Sequence, residues 1–150
     1  MTTTGLRAER TDMASKMIFV NLPVDDLERS KSFYAALGWT VNQEFTDDNA
    51  ACVVIDDNIC LMLLIKPFFE TFTRRPLAET TASVGSIYAL ALSSAQEVDD
   101  LTGAALRAGA AEEVNADKRA QERGVGMYGR TFADPDGHQW EPFYMAGPSA

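Results

Sequence analysis

The sequence predicts an α+β fold made of two tandem β-α-β-β-β modules. One order of strand, helix and three strands occurs twice along the chain, and each copy closes with a hairpin whose turn is rich in acidic residues. A local similarity between FYAALG at residues 33–38 and TGAALRAG at residues 102–109 agrees with a duplication. A chain of 150 residues has room for a single well-cored domain.

Module one is assigned to residues 17–65. Its predicted elements are a strand at 17–24, a helix from Asp25 or Asp26 to Leu37, and strands at 40–45, 50–55 and 59–65. Either aspartate can cap the helix, and Gly38 ends it. The apolar stripe of this helix, with Phe33 and Tyr34 at its centre, should face the core.

Module two is assigned to residues 86–146 and follows a linker at residues 66–85. Its predicted elements are a strand at 86–92, a helix at 95–108, and strands at 111–115, 126–133 and 138–145. The linker carries Phe68, Phe69 and Phe72 at spacings that let one helical turn bury them. Two interpretations stay open for it, an ordinary packed connector and a lid over a pocket.

The ends and the charge of the chain restrict its partners and its location. Residues 1–16 are polar and lack apolar periodicity, which is typical of a disordered leader, and residues 147–150 form a short tail. No apolar run is long enough to span a bilayer or to serve as a secretory signal, so we expect a cytoplasmic protein. A net charge of -9 disfavours binding to nucleic acid or to anionic membranes.

The two cysteines are expected to be free thiols. A two- or three-residue loop between the strands at 50–55 and 59–65 places Leu63 or Met62, rather than Cys60, opposite Cys52. Neither cysteine has a histidine or basic residue near it in the sequence that would favour a thiolate. Both are therefore interpreted as small buried hydrophobic residues.

Two segments carry a resemblance to a known superfamily. They are VNLPVDDLERSKSFYAALG at residues 20–38 and FADPDGHQWE at residues 132–141. With the paired modules, they resemble the vicinal oxygen chelate superfamily, which includes glyoxalase I, extradiol dioxygenases and bleomycin-resistance proteins. NAACVVI at residues 49–55 and MYGRTF at residues 127–132 are similar to a bacterial branch labelled predicted lactoylglutathione lyase. The resemblance implies curled sheets around a shared cavity and a homodimer.

The resemblance also implies where metal ligands would lie in metal-dependent members. The four positions correspond to Phe19, Met62, Ile87 and Glu141, of which Glu141 alone offers an oxygen ligand. A divalent metal site needs about three or four protein donors, so we expect no metal and no cofactor. If the alignment is shifted by one residue, the candidates are Asn21, Asn58, Cys60 and Tyr88.

Strand alternation predicts a concave face that is apolar around the single acid Glu141. The candidate ligand-binding residues are Phe19, Asn21, Met62, Ile87, Tyr128, Glu141 and Phe143. A three-residue loop in the last hairpin places Thr131 opposite Glu141, whereas a two- or four-residue loop places Arg130 there. Glu141 is therefore either paired internally, with Arg130, or directed at a ligand cation or donor. His138, just after the turn, is expected at a solvent-exposed rim.

These features favour a metal-independent protein that binds or sequesters a small molecule over an enzyme. The expected ligand has an apolar or aromatic body and a cationic or hydrogen-bond-donating group. Bleomycin-resistance proteins, which also lack the metal set, are the nearest functional analogy. The alternatives are a metal-dependent enzyme like lactoylglutathione lyase, or a metal-free proton-transfer enzyme in which Glu141 is the candidate catalytic residue.

Overall fold

The computed structural model of the protein describes residues 15–146. The leader predicted at residues 1–16 lies almost wholly outside the described residues, and the tail at residues 147–150 lies outside them entirely. No helix within residues 15–146 has the length and apolar character needed to cross a membrane.

The first module is a four-stranded mixed sheet with one helix. Its elements are β1 (Ile18–Val24), α1 (Leu27–Ala36), β2 (Thr40–Asn42), β3 (Ala50–Asp56) and β4 (Ile59–Ile65). The strands lie in the order β1-β4-β3-β2, with β1 parallel to β4 and the other pairs antiparallel. Asp26 caps α1 by accepting a hydrogen bond from the Arg29 backbone N–H at 3.0 Å.

A short helix in the linker leads to the second module. The elements are α2 (Lys66–Glu70), β5 (Ile87–Ala91), α3 (Ala95–Arg107), β6 (Ala111–Glu112), α4 (Ala116–Gly124), β7 (Met127–Gly129), β8 (Phe132–Ala133) and β9 (Gln139–Met145). The second sheet has the order β5-β9-β8-β6, and β7 also pairs with β9. Because β7 and β8 keep one register along β9, they correspond to the single strand β3 of module one. The predicted α+β class and its duplicated topology are confirmed.

Three parts of the chain differ from the prediction. The strand expected at residues 40–45 ends at Asn42, whose side chain accepts from the Glu44 N–H and starts a 3-10 turn at Gln43–Phe45. The strand expected at 126–133 is interrupted between β7 and β8. Helix α4 was not predicted, because its sequence, ADKRAQERG, has no apolar stripe.

The two modules pack against each other through the sides of their sheets that carry α1 and α3. The shared core includes Leu22, Val24, Phe33, Tyr34, Leu61, Leu63, Phe132 and Trp140. Trp140 lies within 6.0 Å of Tyr34, measured between ring centroids, as alternation away from Glu141 predicts. The opposite faces of both sheets point outward, and Phe19 and Ile87 on those faces are 51% and 53% exposed.

The acidic turn of the last hairpin is inserted between the modules. The Asp134 N–H donates to the His138 carbonyl, and the Gly137 N–H donates to the Asp134 carbonyl, which closes a three-residue loop. The Asp136 carboxylate accepts from the Asp25 N–H at 2.9 Å and from Arg29 Nη2 at 3.2 Å. The turn of module two is therefore anchored at the start of α1 in module one.

A second buried contact lies beside this turn. The hydroxyl of Tyr34 donates to Asp134 Oδ2 at 2.5 Å and accepts from Trp140 Nε1 at 3.1 Å. Burial raises the pKa of Tyr34 well above its usual value, and the Asp134 carboxylate raises it further. These bonds satisfy polar groups that would otherwise be costly to bury.

The expectation that His138 lies at a solvent-exposed rim is wrong. The residue is 5% exposed, and its Nε2 lies 2.8 Å from the carbonyl oxygen of Pro23. The reason is tertiary, since the turn that precedes His138 docks against module one instead of facing water. The burial of the three linker phenylalanines by one helical turn, which their spacing allows, also does not occur at Phe72, which is 69% exposed.

The two cysteines have the predicted arrangement. Both are free and buried, and Cys52 lies directly opposite Met62. Cys60 is the diagonal neighbour of Cys52, two residues along β4 from Met62. Burial, with a smaller contribution from the Cys60 thiol, raises the pKa of Cys52 to about 11. Burial also raises the pKa of Cys60.

Removing the Tyr34 hydroxyl should weaken the contact between the two modules and lower the stability of the protein. We expect Tyr34→Phe to lower the free energy of unfolding by about 2–3 kcal/mol, because Asp134 Oδ2 and Trp140 Nε1 both lose a buried partner. Urea denaturation measures the loss. Tyr144→Phe on β9, the strand that carries Trp140, is the control, expected to change stability by less than about 0.5 kcal/mol. Equal losses in both variants would contradict the role given to Tyr34.

The native thiols should resist alkylation at pH 8. A pKa of about 11 leaves about 0.1% of Cys52 as thiolate at that pH, and burial excludes the reagent. Iodoacetamide should therefore leave the native protein unmodified and label both cysteines in urea, as read by mass spectrometry. Rapid native labelling would contradict this burial, and a purified protein lighter by two hydrogens would show a disulfide.

Candidate functional site

A large cavity among the described residues lies on the outer face of the second sheet. Its volume is about 900 Å³, and every residue that lines it belongs to module two. The sheet contributes Ile87, Thr131, Gln139 and Glu141, and the α4 segment contributes Lys118 and Arg119. We call this space the main cavity. Its size is in the range of small-molecule sites in proteins.

Helix α4 forms one wall of the main cavity. Asn115 caps it by accepting from the Lys118 N–H at 3.0 Å, which fixes its start after β6. The helix packs on β7, where Gly129 allows Arg119 to lie close to the sheet. A Cβ atom at Gly129 would lie 2.6 Å from Arg119 Nη1, so a larger residue would displace the guanidinium. A glycine in the strand thus makes room for the cation.

Arg119 joins two carboxylates from different elements. Its Nη1 donates to Glu122 Oε1 at 2.7 Å, and its Nη2 donates to Glu141 Oε2 at 2.9 Å and to Thr131 Oγ1 at 3.0 Å. The side chains of Arg119, Glu122 and Glu141 are 15%, 7% and 21% exposed. One cation between two carboxylates leaves a net charge of -1 in a site with restricted access to water. We call these three residues the charged triad.

Glu141 therefore has an internal partner, but not the one predicted. The three-residue loop sets a register that places Thr131 opposite Glu141. This is the first of the two loop alternatives that the sequence left open. Arg130 lies on the other face of the strand, where its guanidinium binds Glu112 at 2.8 Å and Asp99 at 3.1 Å. The partner Arg119 is 22 residues away on an unpredicted helix, so strand pairing could not identify it.

The charged triad does not use all of the hydrogen-bonding capacity of Glu141. Among the described residues, the hydrogen bond that Glu141 accepts is made by Oε2 and not by Oε1. The Glu141 side chain lines the main cavity. A carboxylate accepts through both oxygens. Glu141 can therefore hold Arg119 with one oxygen and accept from a ligand donor with the other.

The structure separates the other predicted site residues. Ile87 lines the main cavity with Glu141, and Phe143 lies on the same face of β9 but outside the lining. Phe19 and Met62 lie on the outer face of the first sheet, away from the main cavity. Asn21 lines a second, smaller cavity. The predicted set is thus spread over several surfaces of the molecule.

With Arg119 and Thr131, Tyr128 lines a smaller cavity of about 150 Å³, and it is not part of the lining of the main cavity. It points to the helix side of the sheet, where its hydroxyl donates to Asp99 Oδ1 on α3 at 2.6 Å. This hydrogen bond, with partial burial, raises the pKa of Tyr128. The residue ties β7 to α3.

The side chains present do not fit a divalent metal site of the kind the resemblance implies. Asn21 pairs with Met62 and Ala89 with Glu141, so Phe19 and Ile87 occupy equivalent places two residues earlier on their strands. Neither side chain has a donor atom, and the Glu141 carboxylate is held by a cation. Within residues 15–146, no cluster of three or more His, Cys, Asp or Glu side chains could hold an ion.

Comparison with known proteins agrees with the fold. The family model described as bleomycin resistance protein-like N-terminal matches residues 16–56. A hypothetical protein from S. aureus is 26% identical, with a TM-score of 0.67 over 87% of this chain and 94% of that chain. A glyoxalase/bleomycin resistance protein/dioxygenase from Nocardioides is 23% identical, with a TM-score of 0.66 and 93% coverage of both chains.

A bleomycin resistance determinant encoded on the transposon Tn5 is also similar in structure. It is 17% identical, with a TM-score of 0.54 over 89% of this chain and all of that chain. No protein with curated annotation matches the chain. The chain thus has the fold of glyoxalase/bleomycin-resistance proteins, and its first module is similar to the bleomycin resistance protein-like N-terminal family.

The charged triad should hold α4 against the sheet. We expect Arg119→Met to lower the free energy of unfolding by about 2–3 kcal/mol, because it leaves the buried Glu122 and the partly exposed Glu141 without their cation. Amide hydrogen exchange in α4 should accelerate. Urea denaturation and exchange measured by mass spectrometry check both effects.

Lys118→Met is the matched control for Arg119→Met. Lys118 lies on the same helix and is exposed, so its loss should change stability by less than about 0.5 kcal/mol. Adding Glu122→Gln to Arg119→Met should recover part of the loss, since it removes the uncompensated buried charge. Equal effects of the two methionine variants would show that the charged triad does not stabilise α4.

Proposed function

We propose that this protein binds, and thereby sequesters, a small molecule in the main cavity without a metal ion. The observation that carries the proposal is the charged triad on the wall of a cavity of about 900 Å³. The ligand has an apolar or aromatic body and a cationic or hydrogen-bond-donating group that contacts Glu141. Its body packs against apolar residues such as Ile87 and Met127.

The sign of the charge supports a cationic ligand. The charged triad has a net charge of -1, and the whole chain has a net charge of -9. An anion entering the main cavity would meet the carboxylates of Glu113, Glu122 and Glu141 against two basic side chains. A cation is attracted by this arrangement, and restricted access to water strengthens the attraction.

The similarity to proteins named for bleomycin resistance supports the same class of function. A resistance protein that acts by sequestration needs a cavity and a complementary charge, and requires no reacting group. In this chain Glu141 already forms an ion pair with Arg119 at 2.9 Å, which suits an ion-pairing role. Glu141 is accordingly proposed as a ligand-binding residue.

We propose a homodimer and a cytoplasmic location as the setting of this function. The outer sheet faces carry half-exposed apolar side chains, including Phe19, Ile87 and Met145, and they lie in both modules. In such a dimer, module one of each copy would cover the outer face of module two of the other copy. These apolar side chains would then be buried in an interface with two-fold symmetry. Sedimentation equilibrium of the purified protein distinguishes this dimer from a monomer.

Binding should depend on the charge of Glu141. We expect the fluorescent aromatic cation ethidium to bind, and Glu141→Gln to weaken its binding about tenfold, because a charge-assisted contact is lost. The melting temperature should change little, since the glutamine carbonyl still accepts from Arg119. Fluorescence titration and thermal denaturation measure the two effects.

Two controls sharpen this experiment. Glu44→Gln alters an exposed carboxylate in module one and should leave ethidium binding unchanged, and the anionic dye fluorescein should bind more weakly than ethidium. Unchanged affinity in Glu141→Gln would contradict the proposal. One nickel, zinc or manganese ion per chain that is lost in Glu141→Gln, found by elemental analysis, would instead favour the lyase-like enzyme.

A further inference from the structure

A second cavity lies where the two modules meet. It has a volume of about 180 Å³ and is lined by residues of both modules and of the linker, among them Asn21, Phe69, Thr80, Tyr88, His138 and Gln139. We call it the junction cavity. It shares Gln139 alone with the lining of the main cavity, which lies farther along the second sheet.

The linker forms the outer wall of the junction cavity. Leu77, Thr80 and Val84 of this segment contribute to the lining. Thr80 Oγ1 donates to the Asp136 carbonyl at 2.6 Å, which fixes the linker over the acidic turn. Gly137 has a φ of +89°, and a Cβ atom there would overlap the Thr80 backbone. The linker is thus held over a space that it helps to enclose.

The chemistry of the junction cavity differs from that of the main cavity. Its described lining contains amide, hydroxyl, imidazole and apolar side chains and has no Asp, Glu, Lys or Arg. The main cavity has five charged residues. An ion in the junction cavity would lose hydration without gaining an opposite charge, so this space favours an uncharged ligand.

His138 lines the junction cavity, and the hydrogen bond of its ring indicates which nitrogen can accept from a ligand. Its Nε2 lies 2.8 Å from the Pro23 carbonyl, which can only accept, so Nε2 carries the proton in the neutral ring. Nδ1 is then an acceptor and makes no hydrogen bond to another described residue. The buried side-chain polar atoms without partners in residues 15–146 are Thr102 Oγ1 and Arg119 Nε, so Nδ1 is not sealed inside the protein.

We propose that the junction cavity is a second binding site, for an uncharged molecule about the size of one aromatic ring that donates a hydrogen bond to His138 Nδ1. A volume of 180 Å³ is suitable, since an apolar protein cavity of about 150 Å³ holds benzene. Phe69 and Leu77 provide apolar surface for the ring. This site is independent of the function proposed for the main cavity.

Phenol and anisole test this site with the unmodified protein. Both are uncharged single rings, but phenol alone can donate a hydrogen bond. Titration followed by amide chemical shifts should give saturable changes at Asn21, Tyr88 and Gln139 with phenol, and about tenfold weaker binding of anisole. Benzoate, which adds a charge, should give no saturable change at these residues.

His138→Phe should reduce phenol binding to the level of anisole, because the phenyl ring keeps the approximate shape of the imidazole but has no acceptor in place of Nδ1. The phenol and anisole comparison remains decisive if this variant does not fold. Equal affinities for phenol and anisole, phenol shifts centred on Arg119 and Thr131, or no saturable shift up to the solubility of phenol would each overturn the proposal.

Discussion

The docking of one acidic turn between the modules determines the arrangement of the whole molecule. The carboxylates of Asp134 and Asp136 are nearly inaccessible to water, and their bonds reach Tyr34, Ser30 and the start of α1. Buried carboxylates without such partners would cost several kcal/mol, so these contacts define how module two sits on module one. The position of the linker and of His138 follows from the same contact.

The two modules share one topology but differ in the side chains on their outer sheet faces. Equivalent strand positions hold Met62 in module one and Glu141 in module two, each beside the parallel first strand. Module one keeps an apolar face, whereas module two adds α4 and a cation to the carboxylate. Two copies of one architecture thus provide different chemistry, because side chains on an outer sheet face are not needed for the core.

Charge and packing are linked at the wall of the main cavity. Arg119 reaches the sheet because Gly129 lacks a side chain, and its guanidinium then links the helix to Thr131 and Glu141. The same contact holds the Glu141 side chain at the wall of the main cavity. The ion pair therefore has two roles: Arg119 holds α4 against the sheet, and Glu141 provides a negative charge at the wall of the main cavity.

The sequence by itself determined the α+β class, the tandem modules and the alternation that separates Trp140 from Glu141 on β9, because these depend on local periodicity and on turn chemistry. It also contained a capping signal for α4 at Asn115, but that helix has no apolar stripe.

The tertiary structure alone decided that Arg119 is the partner of Glu141, that His138 is buried and that the linker encloses a cavity. Those contacts join residues far apart in the chain, and neither strand register nor helical periodicity encodes a distance between separate elements.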